Sequence, residues 1–216
     1  CTKLLDLINR VFSYPNIIKV KKSRSVIFES YPKIPNTFNT KIIDVLIKSN
    51  IKKQYSHRIN GRWENQYISI DSVPEIKTIF AFACKVGKSL VKKSLVIPYQ
   101  QLGFQTNEFW FNISEPGDVT GWHDHKENAK LSGVYYICVP KDSGHIRFRK
   151  KNGNIYREWS IKSEQGKMII FNSDLEHSVE KNDSNEKRIS LAFNLYTLPL
   201  RSKTISESYS SNKFYS

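Results

Sequence analysis

The hydrophobic pattern changes its period near residue 107. Upstream, apolar residues recur every three or four positions, the spacing of a helix with one buried face. Ile42, Ile43, Leu46 and Ile47 predict a helix over about 39–53, capped by Thr37 or Asn39. Ile76, Ile79, Phe80, Ala83, Val86 and Leu90 predict a second, from Pro74 to about Leu95, with Ser72 and Glu75 at the spacing of a capping box. Nearer the start, Leu4, Leu5, Leu7, Ile8 and Val11 fit a short helix ending before Pro15, and Val26-Ile27-Phe28 fits a strand. Residues 54–72 read as a polar connection, with Asn60-Gly61 as a turn.

Downstream the period is two. Eight strands are predicted, over 107–114, 119–125, 132–139, 145–150, 154–161, 166–171, 177–181 and 187–196. Turn-forming runs such as Glu115-Pro116-Gly117-Asp118 and Lys141-Asp142-Ser143-Gly144 separate them. Eight short strands after two helices imply an α+β, mostly β chain: a jelly roll with the N-terminal helices packed on one sheet. The expected divisions are a helical support region, 1–104, a β core, 105–200, and a loose Ser-rich tail, 201–216. In the last strand Ile189, Leu191, Phe193 and Leu195 point one way, and Arg188, Ser190, Ala192 and Asn194 the other. The apolar set suits the helix layer. The second set would face the lumen, where a guanidinium needs an anion, because an unpaired buried charge is strongly destabilising.

Composition adds bounds rather than a function. The 216 residues, 39% of them apolar, suffice for one large domain. No run of about 18 apolar residues exists, so no membrane partner is expected. Three cysteines are too few and too scattered for a disulfide framework or a CxxC zinc site, which suits free thiols in a reducing, cytoplasmic setting. The start, Cys1-Thr2-Lys3, lacks Met and the shape of a signal peptide, as a piece of a longer chain would. The net charge of +14 admits nucleic acid, an anionic surface or an acidic substrate, although singly scattered lysines are also what AT-rich coding produces. Ile146-Arg147-Phe148-Arg149-Lys150-Lys151 could grip nucleic acid by phosphate pairing and stacking; the bland alternative is a solvated strand ending in an Asn152-Gly153 hairpin. Gly87-Lys88-Ser89 ends like a P-loop, but Phe82 stands where a Gly is needed and the segment lies inside a helical pattern.

The chemistry concentrates in the histidines. Of five, three fall in Trp122-His123-Asp124-His125 and Glu176-His177-Ser178-Val179, each beside a strand pattern. On an extended strand His123 and His125 share a face and Asp124 points away. Such a pair can chelate one metal, and neutral imidazole suits iron, zinc or copper. Alone, His-x-His is a weak signal. The third histidine, and Arg188 eleven residues after it, strengthen the signal.

These motifs resemble those of the 2-oxoglutarate/Fe(II)-dependent oxygenases, whose iron motif is H-x-D/E, then a distal His, then an Arg about ten residues on, often as R-x-S. The resemblance is closest to a group of 2OG-Fe(II) oxygenases known largely from marine bacteria and phages, through Leu131-Ser132-Gly133-Val134-Tyr135-Tyr136, Met168-Ile169-Ile170-Phe171 and Arg188-Ile189-Ser190-Leu191-Ala192-Phe193-Asn194. It covers roughly 105–197 and implies a double-stranded β-helix fold. It makes His123 the first iron ligand and His177 the distal one. Arg188 would pair with the distal carboxylate of 2-oxoglutarate, with Ser190 hydrogen-bonded to the same group. Tyr136 is the candidate tyrosine beside that carboxylate, and Asn112 or Asn194 would line the site. The implied cofactors are Fe(II), 2-oxoglutarate as cosubstrate and O2, with succinate and CO2 released. The implied reaction is hydroxylation of a peptide side chain, a small metabolite or a nucleobase, in an intracellular protein for which a phage or viral origin is in keeping.

One position departs from the pattern: His125 stands where Asp or Glu is usual. The site is then three-histidine, with His125 as ligand, or Asp124 turns in, or another carboxylate such as Glu127 or Asp174 completes it. Two rival functions follow. One is a three-His, cupin-like metal dioxygenase that does not use 2-oxoglutarate; the other is a non-enzymatic jelly-roll binding module.

Overall fold

A computed structural model of the chain describes residues 18–21, 26–35, 37–48, 51–55, 58–59, 62–63, 65–125 and 129–200. The expected first helix, the Asn60-Gly61 turn, the C-terminal tail and Glu127 lie outside the described residues. In chain order the elements are β1 (Ile18–Lys21), β2 (Val26–Ser30), α1 (Thr37–Lys48), β3 (Lys53–Tyr55), β4 (Arg58–Ile59), β5 (Arg62–Trp63), β6 (Gln66–Ile68), α2 (Ile76–Val91) and β7 (Leu95–Val96). Then follow β8 (Phe109–Ser114), β9 (Thr120–His123), β10 (Leu131–Cys138), β11 (Ile146–Asn152), β12 (Ile155–Ile161), β13 (Met168–Asn172), β14 (Glu176–Val179) and β15 (Arg188–Thr197).

All eight strands expected from the alternating pattern are present as β8–β15, and they wind as a jelly roll. The larger sheet runs β1-β2-β13-β10-β15-β8-β6-β3, with β7 added on β15. The smaller sheet runs β12-β11-β14-β9. From β8 onward the chain crosses between the sheets, so that each sheet takes four of the eight strands, all paired antiparallel. This is the mostly-β architecture with two helices that the pattern implied.

Two apolar cores make the layers cohere. Between the helices and the larger sheet, Ile42 and Leu46 of α1 and Ile79, Phe80 and Ala83 of α2 pack on Phe109, Phe111, Leu191 and Phe193. Ile189 and Leu195 join the same cluster, so β15 turns its apolar face to the helices as its alternation required. Between the two sheets, Val134, Tyr136, Ile146, Phe148, Ile169 and Phe171 fill the lumen. Gly87 of the P-loop-like run has a packing task inside α2: a Cβ there would run into the Leu95 side chain.

Three expectations need correction. The helix α2 does not begin with a Ser72 capping box. Ser72 belongs to a 3-10 turn, Ile70–Ser72, and Glu75 at the helix start makes no side-chain cap. The helix also stops before Leu95. Lys92 takes a left-handed conformation, φ 57°, with its N–H donating to Lys88 O, and Leu95 and Val96 instead pair with Thr197 and Tyr196. Strand pairing there satisfies the backbone that a longer helix would have exposed. Finally, α1 ends at Lys48, and 53–68 supplies short strands, with β3 and β6 extending the larger sheet at the β8 edge. With β1 and β2 on the opposite edge, the N-terminal region is a mixed rather than a helical support. Runs of two or three polar-containing residues are too short to register a period of two, so strand pairing decided them: β6 with β8, β3 with β6, and β4 with β5.

Candidate metal centre

The smaller sheet carries one cross-strand row that defines the site. Phe148 of β11 faces His177 of β14, and His177 faces His123 of β9. His123 ends its strand. His125 lies just beyond, its backbone N–H donating to Ser173 O at 2.8 Å. The three histidines converge: one ligand nitrogen from each of His123, His125 and His177 falls within 4.8 Å of the others. The ring centroids are 4.2 Å apart for His123–His177 and 5.4 Å for each of the other pairs. Among the described residues this is the one cluster of His, Cys, Asp or Glu with metal-binding spacing. Asp124 and Asp174 are not in it.

Sequence alone could not name what orients these rings. His123 Nδ1 is 2.9 Å from Gly121 O, and His177 Nδ1 is 3.0 Å from Leu175 O. A carbonyl only accepts, so each Nδ1 carries the proton and each Nε2 keeps its lone pair for a ligand. Such backbone acceptors fix tautomer and ring plane around metal-binding histidines. Each acceptor belongs to the residue two positions upstream, so the tight backbone around each histidine supplies its own support.

The electrostatics favour the neutral form of His125 and His177. Burial, and then proximity to His123, hold the His125 imidazole down to about 4, with Asp124 acting in the opposite sense. Burial and the two neighbouring histidines hold His177 well below the usual range. Neutral imidazole is the ligating form. Aromatic side chains close the inner side: the Phe171 ring is 4.7 Å from His177 and Trp110 is 5.8 Å from His125. His177 is buried, His125 partly so and His123 exposed, so the cluster opens to solvent on the His123 side.

A second constellation lies deeper, on the larger sheet. Arg188 is buried and donates from its guanidinium to the carbonyls of Ser143 and Glu180. Ser190, two residues on, stands between Tyr136 of β10 and Asn112 of β8 in the ladder. Burial pushes the Tyr136 phenol up, while Ser163, Arg188 and Lys167 beside it act the other way. Two buried hydroxyls in this neighbourhood have no hydrogen-bond partner. They are Ser114, paired with Arg188 across β8 and β15, and Ser143, whose carbonyl Arg188 holds. Orphaned buried hydroxyls are costly unless a ligand satisfies them. Both belong to residues that adjoin Arg188, and a small anionic ligand there would satisfy them.

Asn194 is buried and uses both ends of its amide. Its Oδ1 accepts from Ser132 Oγ at 2.9 Å, and its Nδ2 donates to Glu108 Oε2 at 3.0 Å. Ser132 Oγ also reaches Ser173 Oγ at 3.1 Å, and the Ser173 carbonyl holds the His125 N–H. Asn194 thus connects to the segment that holds His125. Glu108, missed in the sequence, carries this chain of hydrogen bonds on to Tyr196; it is buried, and burial raises its carboxyl. Its signal was present, since Glu108, Trp110 and Asn112 share the lumen phase of β8.

Comparison with known proteins agrees with this geometry. Residues 108–194 match the family model described as putative 2OG-Fe(II) oxygenase. No curated protein matches the sequence. Among solved structures, the non-heme alpha ketoglutarate dependent epimerase SnoN from nogalamycin biosynthesis aligns with a TM-score of 0.60 at 10% identity, over 91% of this chain and 84% of that one. The alpha ketoglutarate dependent carbocyclase SnoK of the same biosynthesis aligns at 0.59 and 12%, over 78% of each chain. A prolyl-4-hydroxylase from Pseudomonas putida aligns at 0.56 and 16%, over 79% of this chain and 92% of that one. The resemblance carried by the histidine and arginine motifs therefore holds: residues 108–194 match the 2OG-Fe(II) oxygenase family, in a chain whose fold is that of the 2OG-Fe(II) oxygenases.

Proposed function

We propose that this chain is an Fe(II)- and 2-oxoglutarate-dependent oxygenase of the hydroxylating kind, with His123, His125 and His177 as its metal ligands. The observation that carries the reading is the convergence of the three imidazoles within 4.8 Å, in the fold and family to which iron and 2-oxoglutarate belong. The SnoN epimerase has been seen in complex with Fe3+ and alpha ketoglutarate, which supports both cofactors here. When bound, the iron and cosubstrate supply O2 activation coupled to decarboxylation of 2-oxoglutarate to succinate and CO2.

The chain's own residues bind, orient and exclude water. His123 and His177 offer Nε2 lone pairs because their Nδ1 protons are committed to Gly121 and Leu175. An all-imidazole set leaves the metal more positive by one charge than two histidines and a carboxylate would. That charge favours an anionic cosubstrate. Arg188 takes the cosubstrate's far carboxylate in this reading, its planar fork suited to two parallel hydrogen bonds. Tyr136, Ser190 and the orphaned hydroxyls of Ser114 and Ser143 complete that anion's shell. Phe148, Phe171 and Trp110 keep the inner side dry. The neighbouring prolyl-4-hydroxylase fold supports hydroxylation as the reaction, on a peptide side chain, a small metabolite or a nucleobase. Free Cys84 and Cys138 suit an intracellular setting, and no described helix is long and apolar enough to cross a membrane.

The all-histidine set also favours one rival, a cupin-like dioxygenase that uses no 2-oxoglutarate. Succinate release separates the two. The full chain with Fe(II), ascorbate, O2 and 2-oxoglutarate is expected to release succinate slowly without any substrate, and Arg188→Ala and His177→Ala to release none. Iron binding with no succinate from the parent protein would favour the rival.

A further inference from the structure

The β11–β12 hairpin projects past the metal row. Trp159, Phe148, His177 and His123 lie in one line across the smaller sheet. Arg188, Ser143 and Glu180 lie on one side of that line, since Ile146 pairs with Val179 there. The hairpin continues on the other side, through Arg149, Lys150, Lys151 and Asn152 paired with Glu158, Arg157, Tyr156 and Ile155. Four residues beyond the line is about 13 Å of strand, and β14 accompanies it only to Glu176.

The arm is cationic and aromatic. Over 146–161 it has five basic residues, Arg147, Arg149, Lys150, Lys151 and Arg157, against one acidic, Glu158. The Arg149 guanidinium sits between two rings, 4.5 Å from the Trp122 centroid and 4.4 Å from that of Tyr156. Arg147 lies 5.2 Å from Trp122. The nearby carboxylates are already taken: Glu158 pairs with Arg147, and Glu176 with Arg149 at 3.0 Å. Lys151 and Arg157 extend beyond them, and the charge excess is at the tip. Tyr156 is 42% exposed there and Ile155 74%.

We propose that this hairpin face is a docking surface for single-stranded nucleic acid. The flat Trp122–Arg149–Tyr156 stack is a platform on which a base can lie. Lys151, in phase with Arg149 and Tyr156, provides a phosphate contact on that face, and Arg157, exposed near the hairpin tip, provides a second along the adjoining backbone. An anionic membrane fits less well, because Ile155 is the one aliphatic side chain at the tip and a single such group inserts weakly.

The test uses the iron-free full chain, so it does not depend on the metal reading. A fluorescein-labelled oligothymidylate of about fifteen nucleotides is titrated with protein, and its anisotropy followed at several salt concentrations. Binding is expected, and the exposed pair Lys151→Glu with Arg157→Glu is expected to weaken it by about tenfold or more. The salt slope should fall by about 1.4, at about 0.7 for each phosphate no longer neutralised. The same charge change on α2, Lys77→Glu with Lys88→Glu, should weaken binding much less. The milder Lys151→Gln with Arg157→Gln provides the same reading if charge reversal impairs folding. No binding by the parent chain would overturn the proposal. So would an equal weakening in the α2 pair, or binding to phosphatidylserine vesicles with none to the oligonucleotide.

Discussion

His123 and His177 stand directly opposite each other across β9 and β14, and each places its Nδ1 on the carbonyl two residues before it, Gly121 O at 2.9 Å and Leu175 O at 3.0 Å. The ladder sets the distance between the rings, and the carbonyls set which nitrogen is free. A metal site follows from backbone geometry, with little demand on the surrounding side chains.

Removing a ligand should then cost more than disturbing its support. Loss of an outer hydrogen bond to a metal-binding histidine typically costs about 10–100-fold in affinity. His177→Ala is expected to exceed that in an anaerobic Fe(II) titration. His125→Asp, which restores two histidines and a carboxylate, is expected to keep metal binding. Unchanged affinity in His177→Ala would place the metal elsewhere.

Arg188 has two tasks that two measurements separate. It braces the Ser143 and Glu180 carbonyls, so Arg188→Ala should lower the thermal midpoint of the metal-free protein. In the proposed reading it also answers the cosubstrate anion, and loss of a buried charged partner costs about 2–5 kcal/mol of binding. Arg188→Lys keeps the charge but not the fork, and should fall between the parent and the alanine variant in 2-oxoglutarate affinity.

Acid should weaken the metal-free fold. His125 is held down to about 4, from an ordinary 6.5. Between those values the unfolded chain binds the proton that the folded one refuses. This contribution to stability is thus intact above about pH 6.5 and is lost progressively as the pH falls toward 4. His177, also depressed, adds in the same direction. Urea midpoints measured across that window should drop, and drop less steeply in His125→Gln.

Gly133 is expected to tolerate no side chain. A Cβ there would lie 2.6 Å from Phe193 Cζ, in a ring that is itself packed 6.1 Å from Phe80. Gly133→Ala should destabilise by about 1–3 kcal/mol, the usual cost of overpacking. Adding Phe193→Leu should recover part of this, as a double-mutant cycle by chemical denaturation would register.

The strands were legible because each of β8–β15 is long enough to show an alternation, and the two faces of β15 followed directly from it. The histidine pairing was legible as types and spacing. Its geometry was not, because the backbone of His125, just beyond β9, is held by a hydrogen bond to Ser173, far away in sequence. Glu108 and the orphaned serines escaped for the same reason: ordinary residues became notable only once β8, β15 and two loops met. The short strands β3 to β6 carried no period to read, and the end of α2 was decided by pairing with β15.

The central claim is that one protein pocket holds iron through three histidines and 2-oxoglutarate through Arg188. Anaerobic addition of Fe(II) and then 2-oxoglutarate to the metal-free chain tests it most directly, through the weak visible charge-transfer band of the chelate. A band is expected in the parent protein and is expected to be lost in His125→Ala and in Arg188→Ala. Tight iron binding with no band, or a band indifferent to both substitutions, would contradict it.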